Sequence, residues 1–294
     1  MEKEKLNIGI IGCFQNGKST CVNCLLDDVV ARTGYGLSTT SINTKYIYGD
    51  IQEVNYYSKN EIVETSQLNE FLQMSEYPEG VDEIVVTLWK PLLKDINIID
   101  TPGFNANESD DMTALASLDD IDVAIVVITN RGISAKENEI IVELYRRNIP
   151  YFLLMNCVEQ GGMWNPNSNS NKRKVEDILQ KLRVTDRLPS PINNQYVIPI
   201  NLLWFWYASG QYVNEAPEKA NQIERFINEY LVEEELELTR NEFVIDSNFL
   251  SVRNFFSKDY KEWNISIKSL RWKIELSNSF CKWEKELNEI IKKY

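Results

Sequence analysis

The sequence predicts an α/β fold, in which helices cover both faces of a mostly parallel sheet and a helical extension follows. Apolar runs alternate with helical patterns along most of the chain, at 95–100, 123–128, 151–156 and 195–201. Runs without polar alternation are typical of parallel strands that are buried on both faces. Residues 247–294, by contrast, contain no glycine, no proline and no strand pattern.

The N-terminal part of the chain begins with an apolar run at 6–11, which predicts a buried strand. A helix is predicted at 19–28, because Val22, Leu25 and Leu26 fall on one face. Further along, the patterns predict a hairpin pair at 43–48 and 52–57, a helix within 64–74, a strand at 83–89, and helices at 134–147, at 172–183 and from Pro217 onward.

We predict a domain boundary after residue 232, with the α/β domain at 1–232 and the helical extension at 233–294. Beyond the acidic run 233–235, apolar residues recur at helical spacing to the end of the chain. One helix over 247–294 would be about 70 Å long. We therefore expect either a break near 246–249 or a fold-back around 277–279.

The composition excludes several classes of function. The 294 residues carry 31 Lys and Arg against 44 Asp and Glu, a net charge of −13. This argues against nucleic acid and anionic membranes as default partners. The chain has no histidine, which excludes imidazole bases and histidine-ligated metals. The five cysteines and the charged N-terminal segment predict a reducing, cytoplasmic location.

The strongest motif is GCFQNGKS at residues 12–19, which matches G-x-x-x-x-G-K-[ST] between the first strand and the first helix. Backbone N–H groups of such a loop and the helix N-terminus bind phosphate groups. Lys18 is predicted to reach the β- and γ-phosphates, and the Ser19 hydroxyl to ligate Mg²⁺. The fold class is accordingly a P-loop NTPase.

A second phosphate motif, D-x-x-G, occupies residues 100–103 at the end of a predicted strand. Asp100 would hold Mg²⁺ through water, and the Gly103 N–H would contact the γ-phosphate. Thr39 and Thr40 lie between the two motifs, where a switch loop supplies a hydroxyl to Mg²⁺ and to the attacking water.

Taken together, these residues resemble the dynamin-like GTPases, especially their bacterial and mitofusin-like branch. The resemblance runs through 12–19, 22–26, 36–41, 47–49, 91–94 and 98–104. It implies that Thr40, with Thr39 as the alternative, is the magnesium-binding switch threonine. It also implies that Gln15 and Asn16 orient water or hold a monovalent cation. The implied catalytic residues are Gln15, Lys18, Thr40 and Gly103, the metal ligands Ser19, Thr40 and Asp100, and the nucleotide contacts Phe14, Gln15, Asn16, Gly17, Lys18, Ser19, Thr20, Asn156 and Glu159.

The chain departs from the family at the base-reading motif N/T-K-x-D, where it has Asn156, Cys157, Val158 and Glu159. Asn156 can still read the guanine edge, whereas Cys157 cannot replace a lysine stem that lies on the base. Selectivity for GTP over ATP should therefore weaken, because it depends on the bidentate carboxylate contact.

The resemblance implies a magnesium-dependent GTP hydrolase that pairs through its GTPase domain, either with a second copy or with another dynamin-like chain. Membrane contact is expected only through a partner, and nucleic acid is not expected as a partner. Only about 60 residues follow Leu231, which fits a minimal member, one half of a two-chain machine, or a truncated chain. The alternatives are a nucleotide-binding assembly partner of a larger dynamin-like protein, with little turnover, and a ribosome-associated GTPase.

Overall fold

The computed structural model describes residues 5–34, 42–74, 76–104, 108–147, 149, 151–158, 164–184, 197–233 and 237–258. Its strands are β1 Leu6–Ile11, β2 Asn43–Tyr48, β3 Glu53–Ser58, β4 Glu61–Ser66, β5 Glu83–Leu88, β6 Ile96–Asp100, β7 Val123–Thr129, β8 Tyr151–Asn156 and β9 Val197–Ile200. Its α-helices are α1 Lys18–Leu26, α2 Leu68–Gln73, α3 Glu108–Ala116, α4 Ala135–Arg146, α5 Asn169–Val184, α6 Leu202–Ser209, α7 Pro217–Glu233, α8 Arg240–Asp246 and α9 Phe249–Lys258.

The nine strands form one sheet in the order β4-β3-β5-β2-β6-β1-β7-β8-β9. Within this order, β6, β1, β7, β8 and β9 are parallel to one another, and β2 is parallel to β5. By contrast, β2 runs antiparallel to β6, and β3 runs antiparallel to β4 and β5. In the centre, Ile10 of β1 is in register with Asp100 of β6. The carboxyl ends of these two strands therefore lie side by side, where ligands bind in open α/β sheets.

Helices cover both faces of the sheet, as predicted. Side chains of β7 alternate between two buried clusters: Ile125 packs in the cluster that includes Val22 of α1, and Val126 in the cluster that includes Ile141 of α4. Because successive strand residues point to opposite faces, the two clusters lie on opposite sides of the sheet. The predicted α/β class, with a mostly parallel sheet, is confirmed.

The predicted hairpin of 43–48 with 52–57 is wrong. Both segments are strands, but β5 lies between them, parallel to β2 and antiparallel to β3. Alternating polarity identifies a half-buried strand but does not specify its partner. The antiparallel partner of β3 on its other side is β4, and the predicted helix within 64–74 begins only at Leu68.

The chain after the last strand folds back on the sheet as helices. Phe243 of α8 packs edge-on against Trp204 of α6, with ring centroids 5.4 Å apart. Phe249 of α9 packs against Phe205, also of α6, at 5.0 Å. The predicted break near 246–249 is confirmed, with Asn248 in the left-handed conformation at φ 58°. The boundary after residue 232 stays a prediction, and the predicted helical pattern beyond residue 258 lies outside the described residues.

Within the described ranges, no helix combines the length and the apolar character that crossing a bilayer requires.

Candidate functional site

The loop of residues 12–17 connects β1 to α1 at the carboxyl edge of the sheet. Gly17 is the N-cap of α1 and has φ 98°, a conformation that residues with a Cβ rarely adopt. A Cβ on Gly17 would also lie 2.9 Å from Asn156 Nδ2. The motif glycine is therefore required both by the backbone and by the neighbouring strand end.

Lys18 lies along this loop, buried, with its Nζ donating a hydrogen bond to the Cys13 carbonyl at 3.2 Å. A Cβ placed on Gly103 would lie only 3.0 Å from the same Nζ. The ammonium group therefore sits between the two phosphate motifs. The backbone dipoles of α1 add positive potential at this edge, because its N-terminus faces the loop.

Ser19 and Asp100 bring a hydroxyl and a carboxylate together next to the loop. Ser19 Oγ donates to Asp100 Oδ2 at 2.7 Å, and Asp100 is 1% exposed. These are oxygen donors of the kind that Mg²⁺ takes alongside phosphate oxygens and water. In the part of the chain that the structure describes, no group of three or more Asp, Glu or Cys residues could hold a metal by itself. By the chemistry of its oxygen donors, the Ser19 and Asp100 pair fits a magnesium ion.

The D-x-x-G segment is held against the phosphate loop by backbone hydrogen bonds. Phe14 N donates to the Phe104 carbonyl at 2.9 Å, and Phe104 N donates to the Gly12 carbonyl at 3.3 Å. Between them, Gly103 approaches so closely that a Cβ would lie 2.9 Å from Phe14 Cα. The two phosphate motifs are therefore joined by direct backbone contacts.

Asn156 lies at the end of β8, as predicted for a base-reading residue. Its Nδ2 donates to the Asn16 carbonyl at 3.1 Å, and its Oδ1 accepts from Leu202 N at 3.3 Å. Asn156 therefore joins the phosphate loop to the end of β8 and the start of α6. Next to it, Cys157 is 1% exposed, and burial raises the pKa of its thiol to about 12.

The other predicted nucleotide contacts differ in exposure. Gln15 is exposed at the tip of the loop with φ 64°, whereas Asn16 is buried and its Nδ2 donates to the Val127 carbonyl at 2.8 Å. Phe14 and Thr20 are half-buried. Thr39, Thr40 and Glu159 lie outside the described residues.

Comparison with known proteins covers the half of the chain that contains these motifs. The profile of the dynamin family matches residues 8–156, a segment that includes the phosphate loop, the D-x-x-G turn and Asn156. The chain belongs to the dynamin family. The predicted resemblance to dynamin-like GTPases is confirmed.

Two relatives of this dynamin-family chain show how far the likeness extends. It is 29% identical to Dynamin-like protein 2 of Campylobacter jejuni over 157 residues, 47% of this chain and 23% of that protein. It is 34% identical to a probable transmembrane GTPase, FZO-like and chloroplastic, of Arabidopsis thaliana over 96 residues, 33% of this chain and 9% of that protein. The matched part thus spans less than a quarter of each relative.

Among solved structures, one chain of an oligomerised bacterial dynamin pair is similar to 62% of this dynamin-family chain and to 28% of its own length, with 20% identity and a TM-score of 0.47. Era of Aquifex aeolicus bound to GDP·AlF₄⁻ is similar over 77% of this chain and 57% of its own, with 17% identity and a TM-score of 0.40. The family assignment rests on the sequence match over residues 8–156.

Three buried residues of this dynamin-family chain support the site without being singled out by its motifs. Asn201 donates to the carbonyls of Cys157 and Trp164 at 3.1 and 2.9 Å, and Asn130 Oδ1 accepts from Val158 N at 3.3 Å. Glu137, at the start of α4, accepts from Asn16. The capping pattern Ser-x-x-Glu at 134–137 is readable in the sequence, but its contact with the loop 121 residues away is not.

Proposed function

We propose that this dynamin-family chain is a magnesium-dependent GTP hydrolase whose bound nucleotide controls pairing of its GTPase domain. The observation that carries the proposal is the position of Lys18, buried between the phosphate loop and Gly103, beside the hydrogen-bonded Ser19 and Asp100. Within a dynamin-family match, this set supports phosphate and magnesium binding at the end of β1.

The chemistry of such a site is positioning and charge neutralisation. Lys18 and the first-turn N–H groups of α1 stabilise the negative charge that builds on the β–γ bridge. Magnesium adds neutralisation of the phosphate oxygens, and Ser19 and Asp100 are the residues that would hold it. Gly103 is close enough to Lys18 for its N–H to contact a terminal phosphate that is bound by this lysine.

The family resemblance assigns the attacking water to the switch loop and the tip of the phosphate loop. In this proposal Thr40, with Thr39 as the alternative, supplies the switch hydroxyl. Gln15 supports the water or a monovalent cation from its exposed position. Asn156 and Glu159 contact the base, and pairing brings two nucleotide sites face to face.

The second candidate function is a nucleotide-binding assembly partner with little turnover. The observation that favours it is the base side of the site, where a buried thiol, Cys157, replaces the family lysine. Turnover separates the two candidates, because an assembly partner binds nucleotide but releases phosphate slowly, and Lys18→Ala leaves that slow rate unchanged.

The test is binding of GTP, GDP and ATP by calorimetry, with Mg²⁺ and with EDTA, together with phosphate release from GTP. We expect Mg²⁺-dependent binding of guanine nucleotides, and Lys18→Ala should weaken it by at least about tenfold, because a buried ammonium that contacts the phosphates is lost. Lys90→Ala, which removes a lysine paired with Asp28 away from the loop, is the matched control. Full binding and turnover by Lys18→Ala would remove the site assignment.

A further inference from the structure

The carboxylate of Glu137 lies beneath the phosphate loop, 4% exposed, and its two oxygens bind different parts of the molecule. Oε2 accepts from Ser134 N at 2.7 Å, which completes the capping box of α4. Oε1 accepts from Asn16 Nδ2 at 2.8 Å. One carboxylate oxygen thus caps the helix, and the other is hydrogen-bonded to the loop.

Capping alone does not account for this arrangement. Two other helices, α2 and α8, begin with capping boxes whose acids are Glu70 and Glu242, and both of these side chains are exposed. A capping carboxylate therefore needs no burial in this fold. Burial of a charged group costs free energy unless the group is hydrogen-bonded. Since capping does not require Glu137 to be buried, its burial and its bond to Asn16 need another explanation.

Asn16 is the residue through which Glu137 reaches the loop. Its Nδ2 is shared between Glu137 and the Val127 carbonyl, its N donates to the Cys13 carbonyl at 3.3 Å, and its own carbonyl accepts from Asn156. The residues on either side, Gln15 and Gly17, have φ 64° and 98°. A left-handed non-glycine residue costs on the order of 1 kcal/mol and persists only where its surroundings fix it.

By its negative charge alone, Glu137 would disfavour the binding of an anion at the phosphate loop. Burial, followed by the negative charge of Glu137, raises the pKa of Cys13 in the loop to about 11, so the carboxylate field reaches the loop. A negative charge beneath an anion site weakens anion binding. Any benefit from Glu137 must therefore come from the geometry that it imposes.

We infer that Glu137 is a positioning residue that acts through Asn16 to hold the phosphate loop in its anion-binding conformation. The inference rests on the proposed function of the same site. Since the loop contacts phosphates that GDP and GTP share, the loss of the Glu137 carboxylate should weaken the binding of both nucleotides by the same factor.

The test is a double-mutant cycle of Glu137→Gln and Asn16→Ala, with binding of GDP and of a non-hydrolysable GTP analogue measured by calorimetry in the full chain. Each single variant should weaken the binding of both nucleotides by about tenfold. The double variant should bind no more weakly than the weaker-binding single variant, because Glu137 acts on the loop through Asn16. In turnover, Glu137→Gln should raise KM by the same factor while kcat stays within about twofold of wild type.

Two controls separate positioning from helix stability. Glu242→Gln and Glu70→Gln change the capping glutamates of α8 and α2, whose capping bonds lie within their own helices. Both should bind GDP as wild type does. If Glu137→Gln fails to fold, Asn16→Ala alone must show the loss.

Wild-type or tighter binding by Glu137→Gln, or additive losses in the cycle, would overturn the inference while the proposed function stands. Absence of any nucleotide binding by the wild-type chain would remove the proposed function, and the inference with it.

Discussion

Cys13 is a thiol inside the phosphate loop, and its reactivity follows from its surroundings. Burial, and next the charge of Glu137, raises its pKa to about 11. Because the thiolate is the reacting form, only about one thousandth of Cys13 is ionised at pH 8. We expect slow alkylation at pH 8 that accelerates about tenfold per pH unit until the pH approaches the pKa. Iodoacetamide labelling with peptide-resolved mass spectrometry measures it.

The controls for Cys13 are within the same chain. Cys21 is completely buried and burial raises its pKa further still, so it should label more slowly than Cys13 in the native protein. Both thiols should label at the ordinary rate in urea. Labelling of native Cys13 at pH 8 as fast as in urea would contradict the burial and charge that the structure assigns to it.

Residues of the site were predictable where a contiguous motif fixes their relation. Lys18 and Ser19 share one loop and helix start, and Asp100 ends a strand whose register with β1 follows from the parallel sheet. Glu137 was not predictable, since its contact with Asn16 joins residues 121 positions apart. The roles of all the predicted site residues stay predictions, and Thr39, Thr40 and Glu159 lie outside the described residues.

Helix α6 begins after Asn201, a residue that also bonds the chain after β8. Asn201 Oδ1 accepts from Trp204 N at 2.9 Å as the N-cap, while its Nδ2 donates to the carbonyls of Cys157 and Trp164. Loss of an N-cap costs about 1 kcal/mol, and each buried carbonyl left without a donor adds about 1–3 kcal/mol. Asn201→Ala should therefore lower the free energy of unfolding by about 3 kcal/mol or more, measured by urea denaturation.

Two variants show which bonds matter at the start of α6. Asn201→Asp keeps the capping oxygen but loses both donors, so most of the destabilisation should remain. Thr239→Ala removes the exposed N-cap of α8 and should cost only about 1 kcal/mol. Equal destabilisation by Asn201→Ala and Thr239→Ala would mean that the two carbonyl bonds contribute nothing.

At the level of elements, the sequence predicted where strands form better than how they pair. The runs at 43–48 and 52–57 are separated by a short turn, which favours a hairpin locally. The pairing of β2 with β5, each residue from Asn43 to Tyr48 opposite one from Glu83 to Leu88, is a long-range contact. It depends on how both strands pack, and no local pattern records it.

The fold class of the whole molecule was predictable because its central strands are apolar throughout. Val123–Thr129 is buried along nearly its full length, and such a strand requires helices on both faces. The packing of α8 and α9 onto α6 was not predictable, since an amphipathic helix indicates that it packs but not against what.

The last prediction concerns assembly of the whole chain. Pairing of the GTPase domain should appear only when a triphosphate, or GDP with aluminium fluoride, orders the switch segments. Two copies each carrying −13 repel one another, so pairing should be stronger at 0.15 M salt, where the screening length is about 8 Å, than at low ionic strength. Analytical ultracentrifugation of the chain alone, with GDP, and with GDP and aluminium fluoride measures it. Lys18→Ala should stay monomeric in every nucleotide state. If the wild-type chain sediments identically in all nucleotide states, nucleotide-controlled pairing of this chain with itself is excluded. Pairing with a different dynamin-like chain would then be the remaining form of the proposal.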